Sequence, residues 1–115
     1  MRDKRILIVE DNSLYGELVR IWLHESIYGF VVVDSAAEAI EELKIGGYNL
    51  VVSDLFMPDM SGVMLEEIVR EQFKVPFVIV TANSTFEVPY YKFENKYQKP
   101  VTKEAFISIV EKHIQ

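Results

Sequence analysis

Short apolar runs alternate with amphipathic stretches along the whole chain. Several of these runs predict strands, because they are brief and rich in β-branched residues. They are RILIV (5–9), FVVVD (30–34), NLVVS (49–53) and PFVIV (76–80), with KYQK (96–99) as a weaker candidate for a fifth strand. Strands that are apolar on both faces and separated by helices indicate an α/β fold with a parallel sheet covered on both sides.

The stretches between the strands carry helix signals. The first helix is predicted from apolar residues on one helical face, which are Leu14, Leu18, Ile21 and Trp22. Cap formers and glycines indicate the ends of the other helices. The second helix is expected to begin at Ser35, which forms a capping box with Glu38, and to end at Gly46 and Gly47. The third is expected to begin near Gly62, and Thr102 is expected to cap the last. A chain of 115 residues without a linker or repeat is expected to form one domain over residues 1–115.

The composition of the chain excludes several kinds of binding partner and site. The net charge is −6, which argues against direct binding to nucleic acid or to an anionic membrane. The chain has no Cys, so disulfides and thiolate metal sites are excluded. No apolar run has the length of a membrane span or of a signal peptide, and we expect a cytoplasmic protein.

Polar residues follow the predicted strands where the strands end. Glu10 and Asp11 follow the first, Asp54 follows the third, Thr81 ends the fourth, and Lys99 ends the fifth candidate. The carboxyl ends of parallel strands meet at one edge of a sheet, where ligands bind. Clustered carboxylates repel each other, and an oxygen-only set suits Mg²⁺. With that charge offset, Asp54 can act as a nucleophile toward a phosphoryl group, while Thr81 and Lys99 stabilise its oxygens.

At these positions the sequence resembles the response-regulator receiver domain of two-component signalling, of the chemotaxis type. The matching segments are LIVEDN (7–12), VVSDLFMPDMSG (51–62), VIVTAN (78–83) and QKPV (98–101), in the family's order. The most specific of them is the D-x-x-M-P-x-x-x-G pattern that runs from Asp54 to Gly62.

The resemblance implies a flavodoxin-like, doubly wound, five-stranded parallel sheet in the order 2-1-3-4-5. It also implies that a sensor histidine kinase or phosphotransfer protein phosphorylates the domain, which then acts on a downstream protein target and is not a turnover enzyme. The implied site consists of the phosphoacceptor Asp54, the Mg²⁺ ligands Glu10, Asp11 and Asp54 with the backbone carbonyl of Phe56, the switch hydroxyl of Thr81, and Lys99 before a cis peptide bond to Pro100.

Two other classes of function stay open. A degenerate receiver would bind partners without being phosphorylated, but all the implied site positions carry usable side chains. An aspartate-nucleophile phosphatase would need a second acid two residues after Asp54, and that residue is Phe56. We also find no phosphate-binding glycine loop and no nucleophile elbow.

The chain departs from the family's pattern between Thr81 and Lys99. This segment is short, contains Pro89 and is crowded with aromatic residues, so we expect the fourth helix, between strands four and five, to be irregular or missing. In the family an aromatic residue usually lies three positions before the lysine. Here that position is Lys96, and Tyr97 follows it, which predicts that the aromatic ring lies on the opposite face of the strand.

Overall fold

The structure is a computed structural model that describes residues 4–82, 96–99 and 101–115. The elements in these ranges are β1 (Arg5–Val9), α1 (Ser13–His24), β2 (Gly29–Val33), α2 (Ala36–Ile45), β3 (Leu50–Ser53), α3 (Gly62–Ile68), β4 (Phe77–Thr81), β5 (Lys96–Gln98) and α4 (Lys103–His113). A π-helical turn, Val69–Phe73, extends α3. The predicted strands are therefore all present, with ends that differ by one residue at most.

The strands form one five-stranded sheet in the order β2-β1-β3-β4-β5. Each neighbouring pair is parallel, as β1 is to β2 on one side and to β3 on the other. This confirms the doubly wound fold and the strand order that the family resemblance implies. Because every strand runs in the same direction, all their carboxyl ends lie at one edge of the sheet.

The apolar strands bury side chains on both faces of the sheet. Leu7, Val51 and Ile79 belong to a buried cluster beneath α2 and α3. Ile8, Val52 and Val80 belong to a second cluster beneath α1 and α4. Adjacent strand residues point to opposite faces, which explains why the strands read as continuous apolar runs. The two clusters hold the sheet between its helices, and this packing determines where the carboxyl ends of the strands lie.

Helix α1 lies where the sequence predicts it, but a different face is buried. Gly16, Val19 and Leu23 pack against the sheet. Much of the apolar stripe used to predict the helix is exposed, with Leu14 at 80% and Ile21 at 55% exposure. The periodicity identified a helix correctly but did not identify which of two apolar faces meets the core.

The predicted helix ends are confirmed. Ser35 Oγ accepts a hydrogen bond from the Glu38 amide at 3.2 Å, and Thr102 Oγ1 accepts one from the Ala105 amide at 3.0 Å. Helix α2 ends at Gly46, whose φ of 93° lies in the region that glycine adopts without strain. In the described ranges, no helix combines the length and apolar character needed to cross a membrane.

The irregular or missing fourth helix is predicted for a segment outside the described residues, as is the cis bond to Pro100; α4 here denotes the helix after β5. The predicted shift of the aromatic residue by one position in β5 falls within the described residues. Lys96 is exposed, whereas Tyr97 packs in the cluster beneath α1 and α4, and its hydroxyl lies 2.6 Å from His113 Nε2. The assignment of residues 1–115 to one domain stays a prediction.

Candidate functional site

Backbone hydrogen bonds place the polar residues at the carboxyl edge of the sheet. The Glu10 amide donates to Val33 O at 2.9 Å, and the Asp54 amide donates to Val9 O at 3.0 Å. The Lys99 amide donates to Thr81 O at 2.7 Å. Each of these residues thus continues the hydrogen bonding between strands by one position. The strand register therefore brings their side chains to one edge.

Lys99 links the two acids that follow β1 and β3. Its Nζ lies 2.6 Å from Glu10 Oε1 and 3.3 Å from Asp54 Oδ2. The side chains are mostly buried, with exposures of 11% for Lys99, 3% for Glu10 and 15% for Asp54. Backbone amides complete the acids' contacts: Leu55 N donates to Asp54 Oδ1 at 2.7 Å, and Asn12 N donates to Glu10 Oε2 at 3.1 Å.

Two opposing effects act on the Glu10 carboxyl. Burial raises the pKa of Glu10 above its ordinary value of 4.5, and the negative charge of Asp54 raises it further. Hydrogen bonds from Lys99 and from the Asn12 amide lower that pKa, but burial is the larger effect. The lysine is therefore the counter-charge that allows a buried carboxylate at this position.

The third acid completes a set of oxygen ligands. Glu10, Asp11 and Asp54 each offer a carboxylate oxygen, and these oxygens lie within 4.8 Å of one another. Asp11 is exposed and Asp54 is partly exposed, so the set opens toward solvent. Grouped carboxylate oxygens on a partly hydrated surface fit the ligand chemistry of Mg²⁺.

The two remaining predicted site residues are Thr81, at the same edge of the sheet, and Phe56, in the loop after Asp54. Thr81 ends β4 and is buried, with an exposure of 2%. Phe56 lies two residues after Asp54, its side chain is 49% exposed, and it forms an antiparallel bridge with Ser61. The bridge closes the loop between Phe56 and Ser61, and the Phe56 carbonyl is two residues along the chain from Asp54.

The loop after Asp54 returns so closely that it requires a glycine. The Gly62 amide donates to Leu55 O at 2.6 Å. A Cβ at position 62 would lie 2.8 Å from the Asp54 carbonyl oxygen and 3.0 Å from Leu55 Cα. Both contacts are to backbone, which cannot move aside as a flexible side chain can. The glycine of the D-x-x-M-P-x-x-x-G pattern therefore holds the start of α3 against the Asp54 backbone.

Asp59 anchors the same loop to a different helix, a role that the sequence did not indicate. Its Oδ1 accepts from the Ala36 amide at 3.1 Å and its Oδ2 from the Ala37 amide at 3.0 Å. These amides are at the start of α2, where a helix favours negative charge. Sequence patterns reveal a helix-capping acid only when it comes directly before the helix that it caps. Asp59 lies more than twenty residues after α2 begins, so no such pattern exists for it.

Asp59→Ala is expected to reduce stability at neutral pH and to reduce it less in acid. The hydrogen bonds from the Ala37 and Ala36 amides hold the pKa of Asp59 below its ordinary value of 3.8. Because the folded pKa is depressed, the stability that Asp59 contributes is present above about pH 4 and is lost as the pH falls through the folded pKa. Denaturant midpoints of both proteins at about pH 7 and about pH 3 measure this. A gap that is constant or larger in acid would contradict the assignment.

Comparison with known proteins identifies the family. The sequence profile of the response regulator receiver domain matches residues 6–112. Hybrid signal transduction histidine kinase B of Dictyostelium discoideum is 31% identical over 96% of this chain, which spans 7% of the kinase. Regulatory protein VanRB of Enterococcus faecalis is 31% identical over 96% of this chain, which spans 50% of that protein.

Solved structures show the same relationship. Response regulator protein TrrA of Thermotoga maritima, crystallised in complex with Mg²⁺ and BeF, has a TM-score of 0.82 and 27% identity. The similarity covers 95% of this chain and 97% of TrrA. Since the family profile spans nearly all of the described sheet and helices, the chain belongs to the response-regulator receiver domains of two-component signalling.

Proposed function

We propose that the domain accepts a phosphoryl group on Asp54 and signals through the resulting change in its protein contacts. The observation that carries this proposal is the position of Lys99, whose Nζ lies between Glu10 Oε1 and Asp54 Oδ2. A buried cation beside a partly exposed carboxylate is suited to bind the oxygens of an anionic group that attaches there.

The proposed reaction transfers a phosphoryl group from a phosphohistidine. An Asp54 carboxylate oxygen forms a bond to phosphorus, the bond between phosphorus and the imidazole nitrogen breaks, and its electron pair stays on that nitrogen. The hydrogen bond from the Leu55 amide to Asp54 Oδ1 orients the carboxylate. Thr81 is the last residue of β4 and lies at this edge of the sheet. Its hydroxyl and the Lys99 ammonium bind the oxygens of the transferred phosphoryl group.

Glu10, Asp11, Asp54 and the Phe56 backbone carbonyl are the groups that would hold Mg²⁺. The carboxylate oxygens are already within 4.8 Å of each other, and all are hard oxygen donors. Bound Mg²⁺ would supply positive charge that offsets the negative charge of the phosphoryl group. Lys99 supplies a second positive charge, and this one stays in the site when the metal is absent.

We further propose that the phosphoryl donor is a sensor histidine kinase or a phosphotransfer protein, and that output is through contact with a downstream protein. The donor must reach the edge at Glu10 and Asp11, next to the start of α1. The exposed stripe of Leu14, Leu18 and Ile21 begins at this edge and supplies apolar area for a protein partner. The net charge of −6 favours a protein partner over direct contact with nucleic acid.

Treatment with acetyl phosphate and Mg²⁺ separates the three classes of function. A phosphorylatable receiver gains one phosphoryl group per chain, and chelation of Mg²⁺ prevents the gain. A degenerate receiver gains none, and a phosphatase consumes many equivalents of acetyl phosphate. Intact-protein mass spectrometry with an assay of residual acetyl phosphate measures both quantities. No mass gain in the presence of Mg²⁺ would contradict the proposal.

A further inference from the structure

Lys99 has a third neighbour besides the two acids, and it is an aromatic ring. Lys99 Nζ lies 4.1 Å from the centroid of the Tyr15 ring, within the range of a cation–π contact. Tyr15 is in the first turn of α1 and packs against the cluster beneath α1 and α4. The ammonium is therefore enclosed by two carboxylates and one aromatic face.

The strand that precedes Lys99 cannot position the ammonium by itself. β5 has only three residues, it pairs only with β4 among the described strands, and Lys96 and Gln98 are exposed. The Lys99 side chain has several rotatable bonds, and it loses considerable entropy when it is held in one position. Contacts at its tip must therefore hold it.

Tyr15 is itself held firmly. Its amide donates to Asn12 Oδ1 at 3.0 Å at the start of α1. Its ring meets Trp22 edge to face at 6.2 Å, and Trp22 packs on the buried ring of Phe106 at 5.6 Å. This row of rings joins the Lys99 ammonium to the core beneath α1 and α4.

The chemistry of the phenol suits an apolar wall. Its hydroxyl oxygen is buried, and no group in the described part of the chain hydrogen-bonds to it. Burial, with the nearby charges of Glu10 and Asp54, raises the pKa of Tyr15 to about 12. The phenol therefore stays neutral over the pH range of any practical assay, and the ring acts through its face.

We propose that Tyr15 is a positioning residue that holds the Lys99 ammonium beside Asp54 through the face of its ring. This inference rests on the proposed function, because the ammonium is needed there to bind a phosphoryl group. Carboxylates alone hold Lys99 only while they are not otherwise engaged. When Glu10 and Asp54 bind other groups, the ring still attracts the ammonium and excludes water from that side.

Tyr15→Leu is expected to lower the rate of phosphorylation by acetyl phosphate by roughly three- to thirty-fold, the range that corresponds to a partly buried cation–π contact. Tyr15→Phe keeps the ring face and should retain most of the rate. A pentafluorophenylalanine at position 15 keeps the ring shape but withdraws electron density from its face, and should fall to the level of the leucine variant. Tyr48→Leu removes a buried tyrosine that lies just before β3, away from Lys99, and should keep the wild-type rate.

A second readout does not depend on phosphorylation. The ε-methylene protons of Lys99 should show an upfield ring-current shift in NMR spectra of wild type and Tyr15→Phe, and lose it in Tyr15→Leu. Lys99→Arg identifies the signal by its disappearance. A wild-type rate in both Tyr15→Leu and the pentafluorinated protein, or no ring-current shift in wild type, would overturn the role of Tyr15. Failure of wild type to be phosphorylated would instead contradict the proposed function, and the NMR shift would still test the contact.

Discussion

Asp54→Asn is expected to abolish phosphoryl incorporation from acetyl phosphate, a fall of at least about a thousand-fold. The amide has nearly the same shape as the carboxylate and can still accept from the Leu55 amide. It lacks the anionic oxygen that must bond to phosphorus. The fold is therefore expected to be kept while the chemistry is lost, and radiolabel incorporation or intact mass measures the result.

The matched control is Asp59→Asn, in the same loop. Asp59 contacts the amides of Ala36 and Ala37 and does not belong to the group of Glu10, Asp11 and Asp54. An asparagine there can still accept a hydrogen bond, so labelling should stay close to that of wild type. Full labelling of Asp54→Asn, or equal loss in both variants, would show that Asp54 is not the acceptor.

Gly62→Ala is expected to destabilise the fold by about 1–3 kcal/mol. The added methyl group would lie 2.8 Å from the Asp54 carbonyl oxygen and 3.0 Å from Leu55 Cα, so either α3 or the end of β3 must shift. The free energy of unfolding from denaturant titration measures this loss. Because the displaced atoms belong to Asp54 and its neighbour, phosphorylation should slow in the fraction that stays folded.

Gly16→Ala is expected to change the stability of the same protein in the opposite direction. Gly16 lies inside α1, and among the described residues a Cβ there would meet only Val32 Cγ1, at an ordinary distance of 3.8 Å. The substitution should stabilise the fold by about 0.5–1 kcal/mol, since glycine is a poor helix former. Equal effects of the two substitutions would contradict the close approach assigned to Gly62.

The sheet and the location of the site could be predicted from the sequence because local patterns determine them. Buried strands such as β3 contain an uninterrupted apolar run, here LVV, and a charged residue such as Asp54 soon after such a run is expected at the strand's end. Parallel strands then bring Glu10, Asp54 and Lys99 to one edge without knowledge of which strands are neighbours. The order of the strands came from the family resemblance, since apolar runs alone do not specify pairing.

Features that depend on contacts between distant segments could not be predicted. Helix α1 has two apolar faces, and only packing shows that Val19 is buried while Leu14 is exposed. Asp59 caps a helix that begins more than twenty residues before it, and no local pattern signals that pairing. The contact of Tyr15 with Lys99 likewise joins the first helix to the residue that follows β5.

Borohydride trapping of the phosphorylated protein tests the central claim most directly. Borohydride reduces an acyl phosphate to the alcohol, so the modified residue is marked permanently and can be located by peptide mass spectrometry. After treatment with acetyl phosphate and Mg²⁺, the mark is expected at Asp54 and not at Glu10, Asp11 or Asp59. A mark at another acid, or no mark in protein that has gained a phosphoryl group, would contradict the assignment of Asp54 as the phosphoacceptor.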